Sequence, residues 1–118
     1  MKFNVEITEI GAMVQELMTE SDCLIIYNDT VADVDLREIS VTHTVDELKE
    51  DVCVGDTVLI GEIEYKVTSV GDVAQKTLRQ LGHCTIKFDG ADEVNLPGEL
   101  HLEGKMPSLK VGDFITIK

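Results

Sequence analysis

The residues of this chain with the greatest chemical capacity are its three histidines, His43, His83 and His101. The sequence contains no HExxH motif, no Gly-rich phosphate loop and no GxSxG serine. A neutral imidazole still offers a lone pair, and that nitrogen becomes a directed nucleophile when the other ring nitrogen donates to a carbonyl or carboxylate. Nucleophilic chemistry in this chain is therefore expected to involve a histidine.

His43 has the most unusual position of the three. It lies between Val41 and Val45 on the core-facing side of a predicted strand. One interpretation is a half-buried histidine with one ring nitrogen satisfied by the backbone. The other is a nucleophilic imidazole at the rim of an apolar depression, which requires a ring that solvent and a partner can reach. The pattern alone leaves both interpretations open.

The other two histidines have different settings. His83 follows the helix-ending Gly82 and shares a predicted strand face with Thr85 and Lys87. A protonated histidine there interacts favourably with the helix dipole, and the same side chain could donate to phosphate oxygens. His101 has outward parity on its predicted strand, so we expect an exposed side chain without a role.

The cysteines favour neither metal binding nor disulfides. Cys23, Cys53 and Cys84 are odd in number and widely spaced, and no CxxC or HxH pair is present. We therefore expect no metal site and no cofactor, and reduced thiols in a cytoplasmic protein. No apolar run approaches the ~18 residues of a membrane helix, so we expect no membrane insertion.

Composition and charge limit the class of protein. The 118 residues are 43% hydrophobic and 28% charged, values that predict one globular domain over residues 1–118. Ten Lys and Arg against 23 Asp and Glu give a net charge of -13. That charge excludes nucleic-acid binding, which needs clustered cations, and it favours a basic protein surface as partner.

Period-two alternation of apolar residues dominates the chain and predicts strands. The predicted strands cover residues 3–8, 23–27, 39–45, 57–60, 63–67, 83–88, 99–103 and 114–117. The fourth and fifth form a hairpin across Gly61-Glu62. These short strands predict a small, mostly antiparallel barrel or sandwich.

One well-defined helix is predicted over residues 72–81. Ala74, Leu78 and Leu81 fall on one helical face. Asp72 is suited to the N-cap, with Gln75 completing a capping box, and Gly82 suits the left-handed residue after the helix. A shorter amphipathic segment, residues 12–18, predicts a second turn or two of helix.

Two segments carry a resemblance to a known family. Residues 68–90 read TSVGDVAQKTLRQLGHCTIKFDG, and residues 38–49 read EISVTHTVDELK. Both resemble the glucitol/sorbitol-specific IIA component of the bacterial phosphoenolpyruvate-dependent sugar phosphotransferase system. The ITEIGA segment at residues 7–12, and Pro97-Gly98 followed by His101, are also similar. The resemblance extends over essentially the whole chain and implies a single IIA domain with a small closed β-barrel fold.

The resemblance implies a phosphotransferase that works as a phosphohistidine relay. His43 matches the histidine that accepts a phosphoryl group from the phosphohistidine of HPr and passes it to the IIB component for glucitol/sorbitol uptake. His83 matches a nearby histidine with a supporting role. Some relatives carry a second histidine two residues after the acceptor, where this chain has Val45.

The sequence leaves two further points open. The alternative function is a catalytically silent IIA-like barrel that acts as a protein-interaction or regulatory module, and a weaker alternative is a small metal-binding barrel with ligands from His43, His83, Cys84 and His101. An open barrel edge could also pair two subunits into a homodimer.

Overall fold

The computed structural model describes residues 1–118, and its eight β-strands close into one barrel. The strands are β1 (Phe3–Ile10), β2 (Cys23–Asn28), β3 (Ser40–His43), β4 (Thr57–Ile60), β5 (Ile63–Val70), β6 (Cys84–Lys87), β7 (Glu99–Glu103) and β8 (Phe114–Ile117). Around the barrel they follow the order β1-β3-β2-β6-β7-β5-β4-β8, and β8 pairs with β1. The predicted closed barrel is confirmed, and the sandwich alternative is wrong.

Of the eight pairs of neighbouring strands in the barrel, two are parallel and six are antiparallel. The parallel pairs are β2 with β3 and β6 with β7. Parallel neighbours need a crossover connection, which residues 29–39 and 88–98 supply. The first crossover contains α2 (Val34–Ile39), a helix that the alternation did not predict. Because Ile39 ends this helix, β3 starts one residue later than expected.

The other two helices were predicted. α3 (Asp72–Leu81) has the expected bounds, and Gly82 follows it in the left-handed conformation with a φ of 59°. The predicted capping box is wrong, because Gly71 is the N-cap and no side chain caps the helix. Gln75 instead bonds the backbone N–H and carbonyl of Val52, at 2.9 and 2.6 Å. α1 (Val14–Ser21) takes the place of the shorter amphipathic segment.

One hydrophobic core of 23 buried residues joins the barrel strands to α1 and α3. Alternate residues of β1, Phe3, Val5 and Ile7, are fully buried, as the period-two pattern predicts. The core fixes the strand register, because a slip of one residue would turn each apolar set outward. None of the three helices has the length and apolar character needed to cross a membrane.

Candidate functional site

One edge of the barrel brings four chain segments together. Because β2 and β3 are parallel, their carboxyl ends meet, and Asn28 lies opposite His43. β6 runs antiparallel to β2, so the turn between α3 and β6 arrives at the same edge. We call Tyr27, Asn28, His43, Gly82 and His83 the His43 cluster.

The imidazole of His43 is fully buried and held at both nitrogens. Nδ1 lies 2.7 Å from the carbonyl oxygen of Thr44, and Nε2 lies 2.8 Å from that of Gly82. A neutral ring has one N–H, so it can donate to only one of these carbonyls, whereas a protonated ring donates to both. The core-facing position was predicted correctly. The expectation of a ring reachable at the rim of a depression is wrong for this conformation, because the Gly82 turn covers the ring.

Gly82 covers His43 so closely that no side chain fits at this position. A Cβ there would lie 2.0 Å from Asn28 Oδ1 and 2.7 Å from His43 Cε1. The φ of 59° is also in the left-handed region that favours glycine. Both the packing and the backbone conformation therefore require glycine.

His83 is the accessible histidine of the cluster, and its tautomer is fixed by one contact. Its Nδ1 lies 3.0 Å from the carbonyl oxygen of Ile26, which can only accept, so Nδ1 carries the proton. In the neutral ring, Nε2 then holds a lone pair, and Nε2 has no hydrogen-bond partner in the protein. The ring stacks on Tyr27 with centroids 4.3 Å apart. The Gly82 carbonyl that contacts His43 belongs to the residue before His83, so the two histidines lie on segments that meet at Gly82.

The predicted companions of His83 are not all free. Lys87 donates from its ammonium group to the carbonyl oxygen of Ser21 at 3.0 Å. Arg37, a cation of α2 that was not among those companions, donates to the carbonyl oxygens of Asp29 and Val31 and to Glu9. Both cations therefore bond groups outside the His43 cluster, and no ammonium or guanidinium group donates a hydrogen bond to the cluster.

His101 contradicts the prediction of an exposed side chain, since it is completely buried. Nδ1 lies 2.6 Å from Asp89 Oδ1, and Nε2 lies 2.9 Å from Glu99 Oε1. The crossover that follows β6 lies over this outer face of β7, with the backbone N–H groups of Asn95 and Leu96 donating to Glu99. The position of His101 in its strand indicates which face of the sheet the ring is on, but it could not predict that the crossover covers that face. We call Asp89, Glu99 and His101 the His101 triad.

The two carboxyls of the His101 triad have lowered pKa values. For Asp89, desolvation raises the pKa, but hydrogen bonds from His101 and the backbone N–H of Ala91 outweigh it. For Glu99, desolvation again raises the pKa, and His101 with two backbone N–H groups outweighs it. Both carboxyls are therefore held in the ionised form by their partners.

The rest of the molecule offers less chemistry. Burial raises the pKa of Cys84 to about 12, and that of Cys23 is also raised by desolvation, so both thiols are poor nucleophiles. No group of three or more His, Cys, Asp or Glu side chains is arranged to hold a metal ion. The surface has two depressions, of about 450 and 330 Å³, and neither is lined by His43 or His83.

The structure adds Asn28 to the site, a residue that no sequence motif indicated. Asn28 Oδ1 is buried without a hydrogen-bond partner. In the sequence Asn28-Asp29 is typical of a turn after a strand, and only the parallel pairing of β2 with β3 places Asn28 against His43.

Comparisons with known proteins agree with this fold. Residues 2–116 match the family model described as the PTS system glucitol/sorbitol-specific IIA component. Proteins named PTS system glucitol/sorbitol-specific EIIA component from Shigella flexneri and Escherichia coli (strain K12) are each 38% identical over 105 residues. The match covers 89% of this chain and 84% of each relative.

A solved structure shows the same architecture. The crystal structure of a PTS system IIA component from Enterococcus faecalis V583 superposes with a TM-score of 0.84 at 24% identity. The superposition covers 97% of this chain and 98% of that one, and it shows a shared fold. With the family match spanning nearly all 118 residues, the chain belongs to the glucitol/sorbitol-specific IIA component family of the phosphotransferase system.

Proposed function

We propose that this chain accepts a phosphoryl group from the phosphohistidine of HPr onto His43 and passes it to the IIB component of a glucitol/sorbitol permease. His83 supports the transfer, and the relay works in the cytoplasm, in keeping with three free cysteines. Family membership supports a phosphoryl relay in general. The observation that carries the choice of residue is the oriented imidazole of His43, held at the edge where β2, β3 and the Gly82 turn meet.

The contacts of His43 favour Nε2 as the nucleophile. Thr44 belongs to the same chain segment, so its carbonyl stays with the ring and orients Nδ1–H. The Gly82 carbonyl comes from a different segment, the turn after α3, so the chain itself does not tie it to the His43 ring. Displacement of that carbonyl would free the lone pair of Nε2. The P–N bond to HPr then breaks as the new P–N bond forms in line, and the phosphoryl group takes no proton.

The surroundings of the cluster suit a protein donor. Val45 and Leu81, which are 60% and 40% exposed, follow Thr44 and precede Gly82 in the chain. Exposed apolar side chains on the two segments that contact His43 suit a donor surface that excludes water during transfer. The net charge of -13 favours encounter with a basic face of the donor.

The second candidate function is a catalytically silent barrel that binds protein partners. The burial of His43 and the engagement of both its nitrogens favour this candidate. It predicts that the protein takes up no phosphoryl group in any conformation.

Incubation of the protein with phosphoenolpyruvate, enzyme I and HPr separates the two candidates. We expect uptake of one phosphoryl group, labile in acid and stable in alkali, and its complete loss in His43→Ala. His83→Ala should label more slowly. His101→Gln, measured per folded molecule, is the control and should label normally. Labelling of the His43→Ala protein would falsify the assignment of the acceptor, and an unlabelled wild type would favour the silent barrel.

A further inference from the structure

The surroundings of His43 contain acceptors where a phosphoryl group needs donors. The ring and its neighbour His83 contact the carbonyl oxygens of Thr44, Gly82 and Ile26. A transferred phosphoryl group spreads negative charge over its oxygens and depends on hydrogen-bond donors for stabilisation. A phosphoryl group on His43 therefore needs a donor that the resting contacts of the ring do not supply.

Asn28 lies beside the space where that donor would act. In the parallel pair it is directly opposite His43. Its Oδ1 and His43 Cε1 both approach within 2.7 Å of the point where a Gly82 Cβ would stand. The carboxamide and the imidazole therefore pack against the same side of Gly82. If the Gly82 carbonyl moves away from Nε2, the vacated space is bounded by these two groups.

The carboxamide of Asn28 is uncommitted in the resting protein. Oδ1 is buried without a partner, and Nδ2 makes no hydrogen bond to the protein. The two ends of a carboxamide have the same shape, so a half-turn about χ2 replaces the orphan oxygen with an NH₂ group. An unpartnered buried oxygen is unfavourable, and this turn removes it when an acceptor arrives.

Asn28 differs from the other candidate donor, His83, because its side chain can donate without carrying a charge. His83 uses Nδ1–H on the Ile26 carbonyl, so the neutral ring presents only a lone pair at Nε2 and donates there only when protonated. The Nδ2 group of Asn28 carries two N–H bonds whatever the pH.

From these contacts we infer that Asn28 is a further catalytic residue, whose Nδ2 donates to an oxygen of the phosphoryl group on His43 Nε2. The inference rests on the proposed function. Asn28 forms no covalent bond and exchanges no proton. It stabilises charge on the phosphoryl group while one P–N bond breaks and the other forms.

The test compares Asn28→Ala and Asn28→Asp with the same changes at Asn95. Asn95 is exposed, and only its backbone N–H makes a hydrogen bond. With saturating phospho-HPr, we expect the transfer rate of Asn28→Ala to fall about 100-fold, the range for loss of one such donor. Asn28→Asp should fall further, since a carboxylate repels the phosphoryl oxygens. The Asn95 variants should match the wild type, and the KM for phospho-HPr should stay unchanged in every variant.

Stability measurements distinguish this role from a structural one. Because the Asn28 side chain makes no hydrogen bond at rest, Asn28→Ala should unfold at the wild-type temperature. If Asn28→Asp fails to fold, Asn28→Ala alone decides. Wild-type transfer rates in Asn28→Ala, with the wild type labelled normally, would overturn the role of Asn28 and leave the proposed function intact. A wild type that takes up no phosphoryl group would overturn both.

Discussion

The His43 cluster and the His101 triad each contain a buried histidine of the same barrel, but the two histidines have different partners. Both rings are completely buried, and each ring nitrogen lies between 2.6 and 2.9 Å from an oxygen atom. Both lie on strands of a parallel pair, β3 beside β2 and β7 beside β6. They differ in the charge of their partners. His43 faces two carbonyl oxygens, whereas His101 faces the carboxylates of Asp89 and Glu99.

This difference in partner charge separates a ring that can be released from one that cannot. Removing one member of a buried ion pair leaves an uncompensated charge, at a cost of about 3–5 kcal/mol. Moving a carbonyl away from an imidazole leaves only neutral groups unsatisfied, at about 1–3 kcal/mol. One carbonyl on His43 also belongs to a glycine turn, whereas His101 is clamped between its own strand and the crossover over it. We therefore expect function at His43 and structural support at His101.

The largest expected effect is the loss of stability on removing the His101 imidazole. His101→Gln should lower the free energy of unfolding by about 3–5 kcal/mol, because the ionised carboxylate of Glu99 is left buried without the imidazole that bonds it. His43→Gln should cost about 1–3 kcal/mol, since only carbonyls lose a partner. Urea unfolding of the two variants measures both numbers. Equal losses would show that partner charge does not distinguish the two sites.

The pH dependence of that loss sharpens the test. Asp89 and Glu99 have lowered pKa values in the folded protein, so their contribution is present above the ordinary carboxyl range and is lost as the pH falls through the folded values. The stability difference between wild type and His101→Gln should therefore shrink as the pH falls below the ordinary carboxyl range, at about pH 4. His43→Gln, which has no carboxyl partner, serves as the control and should show no such trend. A constant difference for His101→Gln would mean that packing, rather than charge, holds the triad.

Gly82 gives the second largest effect, because it forms the cover that only the His43 cluster has. Gly82→Ala should cost about 3 kcal/mol, from a left-handed alanine and from overlap with Asn28 and His43. Gly55→Ala is the matched control, since its φ of 92° carries backbone strain but nothing lies within 4 Å of the added Cβ. It should cost about 1 kcal/mol. Thermal or urea unfolding gives both values.

A double variant locates the overlap. Adding Asn28→Ala to Gly82→Ala removes the atom closest to the new Cβ, so part of the lost stability should return. If the double variant is no more stable than Gly82→Ala, the cost lies in the backbone alone, and the turn does not fit tightly over the cluster.

The elements predicted best from the sequence are those whose signals are local. The bounds of α3 follow from three apolar residues at helical spacing and Gly82 after them. The hairpin at Gly61-Glu62 follows from alternation on both sides of a two-residue turn. The parallel pairs were not predictable in the same way, because alternation does not record strand direction.

The candidate site was predicted only in part, for a related reason. The core-facing side of His43 is a property of its own strand, and the sequence shows it. The closure by Gly82, the position of Asn28 and the cover over His101 all depend on segments distant in sequence. Strand parity reports which way a side chain points but not what lies over it.

The smallest expected effect concerns the stacking of Tyr27 on His83, a contact that the His101 triad does not have. The rings are 4.3 Å apart and inclined by 28°, and the Tyr27 hydroxyl makes no hydrogen bond, so the phenol ring alone carries the contact. Tyr27→Leu should lower the free energy of unfolding by about 1 kcal/mol, whereas Tyr27→Phe should be neutral. Without the stack, the His83 ring keeps its bond to the Ile26 carbonyl, so ¹⁵N spectra should show the Nδ1–H form in both variants. A mixture of tautomers in Tyr27→Leu would show that the Ile26 carbonyl does not fix the His83 tautomer without the stack.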